Sequence, residues 1–174
     1  MESGREDEIG ELMNGFANGK VPMLEFMRRM YLISQERGFD KDPRLGKAVV
    51  GSFDGHTEGR DLMGIMLGAK GFDVILAKRD EEIESIVERC RDPEVTVLCL
   101  SIQATYSCHY MYEAAELMEE MGIRGRLVYN VGGTPVSKDM AEKAGCDVFG
   151  MTAVESANLV TDKVLERSGT SLGD

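Results

Sequence analysis

The chain has 174 residues and a formal charge of −11 at pH 7, with 31 acidic side chains against 20 basic ones. That excess repels phosphate backbones and anionic lipid, and no basic cluster offsets it, which argues against nucleic acid and membrane surfaces as partners. Apolar residues at 43% supply a core and exceed what a disordered acidic chain carries, while no apolar run approaches the roughly 20 residues of a membrane span.

The chain begins MESGREDEIGE, too acidic for a signal or transit peptide. Ile9, Leu12, Met13 and Phe16 then recur at helical spacing. The stretch GFANGK breaks this pattern, and Pro22 suits the first turn of a second helix, where its missing N–H costs nothing. Met23, Phe26, Met27, Met30 and Ile33 run along that helix, but Leu24, Tyr31 and Leu32 widen its apolar face, so it needs cover from more than one direction. Gly38 ends it before the polar connector FDKDPRLG. Residues 1–45 read as a helical hairpin.

From residue 47 the pattern alternates. Strand-like runs at Lys47–Phe53, Phe72–Ala77, Val95–Ser101, Arg126–Val131 and Cys146–Met151 are separated by helix-like stretches at 60–70, 80–91, 108–121, 138–144 and 153–167. This alternation predicts an α/β domain over 46–168, with a five-stranded parallel Rossmann-like (flavodoxin-like) sheet and helices on both faces. The end of the chain, 169–174, reads as a disordered tail. Cys90, Cys99, Cys108 and Cys146 lie scattered across this region with no C-x-x-C spacing. Such thiols fit a reduced, cytoplasmic protein better than a zinc knuckle or a disulfide framework.

Ligands of such sheets bind beyond the carboxyl ends of the strands, near the topological switch point. Three loops lie there. The first, FDGHTEGR, is neither G-x-G-x-x-G nor a P-loop. It holds Asp54 and His56 two residues apart, an imidazole at a strand end with a carboxylate near enough to bond one ring nitrogen and leave the other for a metal. Gly59 would let a bulky ligand approach the backbone. A solvated loop histidine with Asp54 as a helix cap explains the same residues, and on these alone both readings stay open. The second loop carries Ser101, Thr105, Tyr106, Ser107 and Tyr110, some of which local capping would explain. Cys108 beside His109 is a weak metal pair, because adjacent helical residues diverge by roughly 100°. The third, NVGGTPVS, sets two glycines at a strand end, where one suffices for a turn and the second leaves room for something against the backbone.

Together the loops resemble the cobalamin-binding domain of corrinoid proteins and of methionine synthase, whose signature is D-x-H-x-x-G, S-x-L and G-G at successive strand ends. Here these are Asp54-Gly55-His56-Thr57-Glu58-Gly59, Ser101-Ile102-Gln103 and Gly132-Gly133. The resemblance implies a cobalamin or related corrinoid whose benzimidazole leaves cobalt and enters the sheet, with His56 as the replacing metal ligand and Asp54 holding its other ring nitrogen. It extends the relay to Ser107, places Ser101 on the buried base, and lines the nucleotide tail with Gly132, Gly133 and Thr134. Gly55, Thr57 and Thr105 fall in the same cofactor-binding loops, and Phe149, Gly150 and Thr152 match the last tail-binding loop less specifically. Two departures stand out. Gln103 replaces the usual leucine, which puts a polar group beside the tail slot. Thr57 and Glu58 replace a D-I pair at variable positions.

FANGKVPMLEFM also resembles F-x-x-G-x-x-x-x-P-x-L-M in the helical cap of corrinoid methyl carriers, with room here for the second half of such a bundle. The resemblance implies a corrinoid methyl carrier serving substrate:corrinoid and corrinoid:acceptor methyltransferases, with a reductive activator and a homodimer through the hairpin. A corrinoid sensor or storage module without methyl turnover, and the small subunit of an adenosylcobalamin-dependent mutase, are the rival readings.

Overall fold

The computed structural model describes residues 3–169; the expected tail beyond them, and the side chains of the first helical turn, lie outside the described residues. The chain divides into two compact units, Met1–Asp40 and Lys41–Asp174.

The first unit is the expected hairpin: α1 (Ser3–Ala17) and α2 (Met23–Arg37). Pro22 sits just before α2 in extended backbone, its φ of −60° already suited to helix entry. Gly38 ends α2 with a φ of 68°. Leu12, Phe26, Met30 and Ile33 are buried, Phe16 and Phe26 stack with ring centroids 4.5 Å apart, and Arg37 pairs with Glu8 across the hairpin at 2.6 Å. On α2, Met23, Tyr31, Leu32 and above all Leu24, 82% exposed, remain in solvent.

The second unit is a parallel sheet of β1 (Lys47–Ser52), β2 (Asp73–Leu76), β3 (Val95–Ser101) and β4 (Val128–Gly132), in the order β2-β1-β3-β4. Side chains alternate across the sheet. Val49, Leu98, Leu100, Tyr129 and Val131 join a core with Ile83, Ile86 and Val87 of α4 (Ile83–Glu88) and Met111, Ala114 and Met118 of α5 (His109–Glu120). Packed against β1 and β4 from the other side are α3 (Glu58–Lys70) and α7 (Ala153–Arg167), which also touch each other. A short α6 (Lys138–Lys143), capped by Ser137 accepting from the Met140 N–H, completes the unit. The chain leaves β1 toward β2 and returns past it to β3, so the switch point lies between the ends of β1 and β3.

The fifth strand is the main departure from the sequence pattern. Cys146–Met151 contributes a single parallel bridge, Asn130 to Val148, because side chains take the places a ladder would use. The Tyr129 N–H donates to the Asp147 carboxylate at 2.7 Å, and Asn130 Nδ2 donates to the Val148 carbonyl at 3.2 Å. Asp147 is further held by Arg124 and Arg167. The segment then turns away at Gly150, whose backbone closes onto Ser156 at the start of α7, leaving no room for a Cβ. Similarly, β4 begins later than expected because Arg124–Arg126 form a turn of 3-10 helix.

Candidate cofactor site

Three strand-end loops build the site. After β1, Phe53–His56 closes a tight turn in which Asp54 and Gly55 both adopt positive φ, 58° and 71°, and the His56 N–H donates to the Phe53 carbonyl at 3.2 Å. Aspartate followed by glycine is the pair that tolerates two successive left-handed residues. The turn lifts Asp54 and His56 to the surface, and the His56 ring has no hydrogen-bond partner among the described residues.

Beneath the turn lies the loop after β3. Thr105–Ser107 form a 3-10 turn that buries Ser107 completely, and its hydroxyl donates to the Asp54 carboxylate across 53 residues of chain. Tyr110, at the start of α5, stacks on Phe53 at 4.2 Å. Burial, and after it the charge of Asp54, raises the Tyr110 hydroxyl above its ordinary pKa. Of the three residues that the resemblance would join in a relay, Ser107 and Asp54 are bonded, while no contact joins the Asp54 carboxylate to the His56 imidazole. His109 next door donates from Nδ1 to the Tyr106 carbonyl at 2.8 Å. No cluster of three or more potential metal ligands exists among the described residues.

Beside this rim a cleft of about 350 Å³ runs down between the sheet and helices α3 and α7. Gly59, Ser101, Gln103, Gly132, Gly133, Thr134, Phe149, Gly150 and Thr152 all line it, as the loops suggested. Asp54, Gly55, His56, Thr57, Thr105 and Ser107 stand outside it, at the rim. Three lining positions show how closely the walls are fitted. A Cβ at Gly59 would collide with the Ser101 hydroxyl and stand 2.9 Å from Gln103 Nε2. A Cβ at Gly133 would run into the Ile102 carbonyl, and its φ of +122° suits glycine alone. At Gly132, by contrast, a Cβ would meet nothing within 4 Å, so its absence keeps the cleft open. Thr152 accepts from the Glu155 N–H at 3.1 Å and so starts α7 at the cleft wall.

Sequence reasoning missed the deeper lining: Val50, Leu62, Met63, Cys99, Asn130 and Ser156. These looked like ordinary core positions, and only the lone amide of Asn130 in an apolar run signalled otherwise. No charged side chain lines the cleft. Burial pushes the Cys99 thiol far up, which keeps it neutral. An uncharged cleft with buried hydroxyl and amide groups suits a neutral group that can hydrogen-bond.

A parallel sheet with an exposed imidazole at its switch point and an uncharged cleft beside it has the form of an α/β cofactor-binding domain. The chain belongs to the B12-binding domain family, whose model matches residues 46–159, and its cofactor is cobalamin or a related corrinoid. It is 31% identical over 122 residues to trimethylamine corrinoid protein 2 of Methanosarcina acetivorans, covering 69% of this chain and 56% of that protein. With trimethylamine corrinoid protein 1 of Methanosarcina mazei it shares 35% identity over 122 residues, 69% of this chain and 55% of that one. The chain thus spans just over half the length of these relatives. Among solved structures, a cobalamin-binding protein of Desulfitobacterium hafniense matches 95% of this chain and 80% of its own at a TM-score of 0.69 and 18% identity. The monomethylamine corrinoid protein of Methanosarcina barkeri matches 89% and 78% at a TM-score of 0.66 and 23% identity. At these identities the structures establish the shared fold.

The residues present fit the cofactor. The slot is open at Gly132, closed against side chains at Gly59 and Gly133, and flanked by an unpartnered imidazole.

Proposed function

We propose that the protein is a corrinoid methyl carrier that binds its cofactor base-off, with the tail base in the cleft and His56 toward cobalt. The Ser107–Asp54 hydrogen bond carries this reading, because a buried serine anchoring an exposed carboxylate two residues from a free imidazole has no packing purpose of its own. A bound corrinoid would supply a cobalt centre able to carry a methyl group between partner methyltransferases.

Ser107 spends its proton on Asp54, which leaves the remaining lone pairs of that carboxylate to accept from an imidazole N–H. With its ring unpartnered, His56 can turn to bond Asp54 through one nitrogen and present the other as a ligand. Bonded in this way, the imidazole would be fixed in one tautomer, with its outer nitrogen free for the metal. Ser101 and the backbone at Gly132 and Gly133 hold the tail.

The methylamine corrinoid relatives, and a structural neighbour solved as a methanol:cobalamin methyltransferase complex from Methanosarcina barkeri (TM-score 0.70, 17% identity), support separate methyltransferases as partners. A reductive activator would restore oxidised cofactor. On the hairpin, the exposed Met23, Leu24, Tyr31 and Leu32 of α2 support self-association through that face. The binding reading is tested by loading purified protein with hydroxocobalamin, desalting it and recording its absorption spectrum. Retained cofactor with a base-off spectrum that His56→Ala alters is the expected result; loss of all corrinoid on desalting contradicts the reading.

A further inference from the structure

Two hydroxyl or amide side chains of the cleft lie outside the cofactor motifs: Ser156, whose hydroxyl donates to the Gly150 carbonyl at 3.4 Å, and Asn130. Asn130 sits in the middle of β4, 3% exposed, and lines the slot. Its Nδ2 donates to the Val148 carbonyl at 3.2 Å, which fixes the orientation of the amide, since a carbonyl can only accept. Asn130 Oδ1 is thereby left without a partner among the described residues. No side-chain nitrogen or oxygen sealed from solvent goes unpaired among those residues, so this oxygen keeps its residual exposure, and the cleft is what it lines.

Ser101 offers the complementary group. It is 8% exposed, and its Oγ accepts from Gln103 Nε2 at 3.2 Å. Its own proton has no acceptor among the described residues. With one lone pair occupied by the Gln103 amide, and with Gly59 packed against it, the hydroxyl has few orientations left beyond those directed into the slot.

Strand register places these two groups on one wall. Cys99 pairs with Asn130 and Ser101 with Gly132, so Ser101 and Asn130 lie on the same face of neighbouring strands, one pleat apart. That separation is roughly 8 Å between Cα atoms, from a strand spacing of about 4.8 Å and a rise of about 3.3 Å per residue. A donor and an acceptor so placed can reach two edges of one fused-ring heterocycle.

We infer that the slot selects the tail base of its corrinoid by hydrogen bonding, taking a base that carries both a ring-nitrogen acceptor and an exocyclic N–H or O–H donor, such as an aminopurine. Ser101, set by Gln103, donates to the ring nitrogen, and Asn130 Oδ1 accepts from the exocyclic group. A dimethylbenzimidazole base satisfies Ser101 but puts a methyl group against a buried carbonyl oxygen, which then loses its water without replacement. This inference rests on the proposed binding of the tail base in the cleft.

The test is equilibrium binding of three corrinoids: one with an adenine tail base, cobalamin with dimethylbenzimidazole, and tail-less cobinamide. Wild-type protein is expected to bind the adenine form about tenfold more tightly than cobalamin, the size of one buried hydrogen bond. Asn130→Val should abolish that ratio. Gln103→Leu, which releases the Ser101 hydroxyl, should weaken both tailed forms alike and keep the ratio; a ratio lost with it counts against the role given to Asn130. Equal binding of the two tailed forms by wild type, or a ratio that survives Asn130→Val, overturns the inference while leaving the cofactor assignment intact. Failure of all three corrinoids to bind wild type overturns both. If a melting curve shows that Asn130→Val does not fold, the wild-type ratio decides.

Discussion

The rim turn and the cleft are built on neighbouring strand ends from opposite materials. The turn after β1 is exposed, ionisable and held in left-handed backbone at two successive residues. The cleft is buried and uncharged, and close backbone approach shapes it, with glycines at 59 and 133 where no side chain fits. On the proposed reading the rim imidazole has to turn to meet its ligand, while the cleft wall has to keep its shape. The Ser107–Asp54 hydrogen bond ties the exposed turn after β1 to the buried loop after β3.

That contrast gives an order of sensitivity. Gly133→Ala should do the most damage, because the Cβ collides with the Ile102 carbonyl at a φ that L-residues avoid. We expect a loss on the order of 3 kcal/mol or more, read as a large drop in thermal midpoint. If Gly133→Ala melts like wild type, the cleft wall is softer than its geometry indicates. Ser107→Ala comes next. It leaves the buried loop without its link to Asp54 and should cost about 2 kcal/mol in urea unfolding, in the range of hydrogen bonds to charged groups. It should also shift the spectrum of the corrinoid-loaded protein, a readout that a purely structural serine would leave unmoved.

The smallest effect lies away from the site, at the start of α4. Burial of Glu81 acts to raise its pKa, but hydrogen bonds from Arg89, the Lys78 N–H and Ser85 outweigh it, so the carboxyl titrates below the usual glutamate range. A depressed carboxyl contributes its full stability above the unfolded-state value of about 4.3 and loses it as pH falls through the folded value. Glu81→Gln should therefore cost about 1 kcal/mol at neutral pH and flatten the acid limb of the stability curve, with no change in corrinoid binding. An unchanged acid limb would show that this ion pair contributes nothing.

Much of the architecture was legible in the sequence because local pattern determined it. The expected bounds of β3 and α7 match those observed, and the hairpin breaks at Pro22 and Gly38 as their backbone preferences require. The fifth strand misled because its apolar run looked like a ladder partner, whereas Asp147 and Asn130 use side chains to make those bonds. No local pattern reveals such a substitution. The site divides in the same way. Gly59, Ser101, Gly132 and Gly133 were found at the strand ends that the switch-point rule marks. The partnership of Asp54 with Ser107 spans 53 residues and followed only from family resemblance. Asn130 was overlooked, since an amide inside a strand gives no sign of which face it occupies until the register is known.

The central claim is that His56 ligates cobalt when a corrinoid occupies the cleft. It is tested most directly by electron paramagnetic resonance of the protein loaded with the Co(II) form of cobalamin, prepared once with natural histidine and once with ¹⁵N-labelled histidine. Nitrogen splitting that changes with the label and disappears in His56→Ala is the expected result. Splitting that ignores the label, or that survives His56→Ala, would mean the nitrogen belongs to the cofactor's own base or to another residue, and would contradict the account.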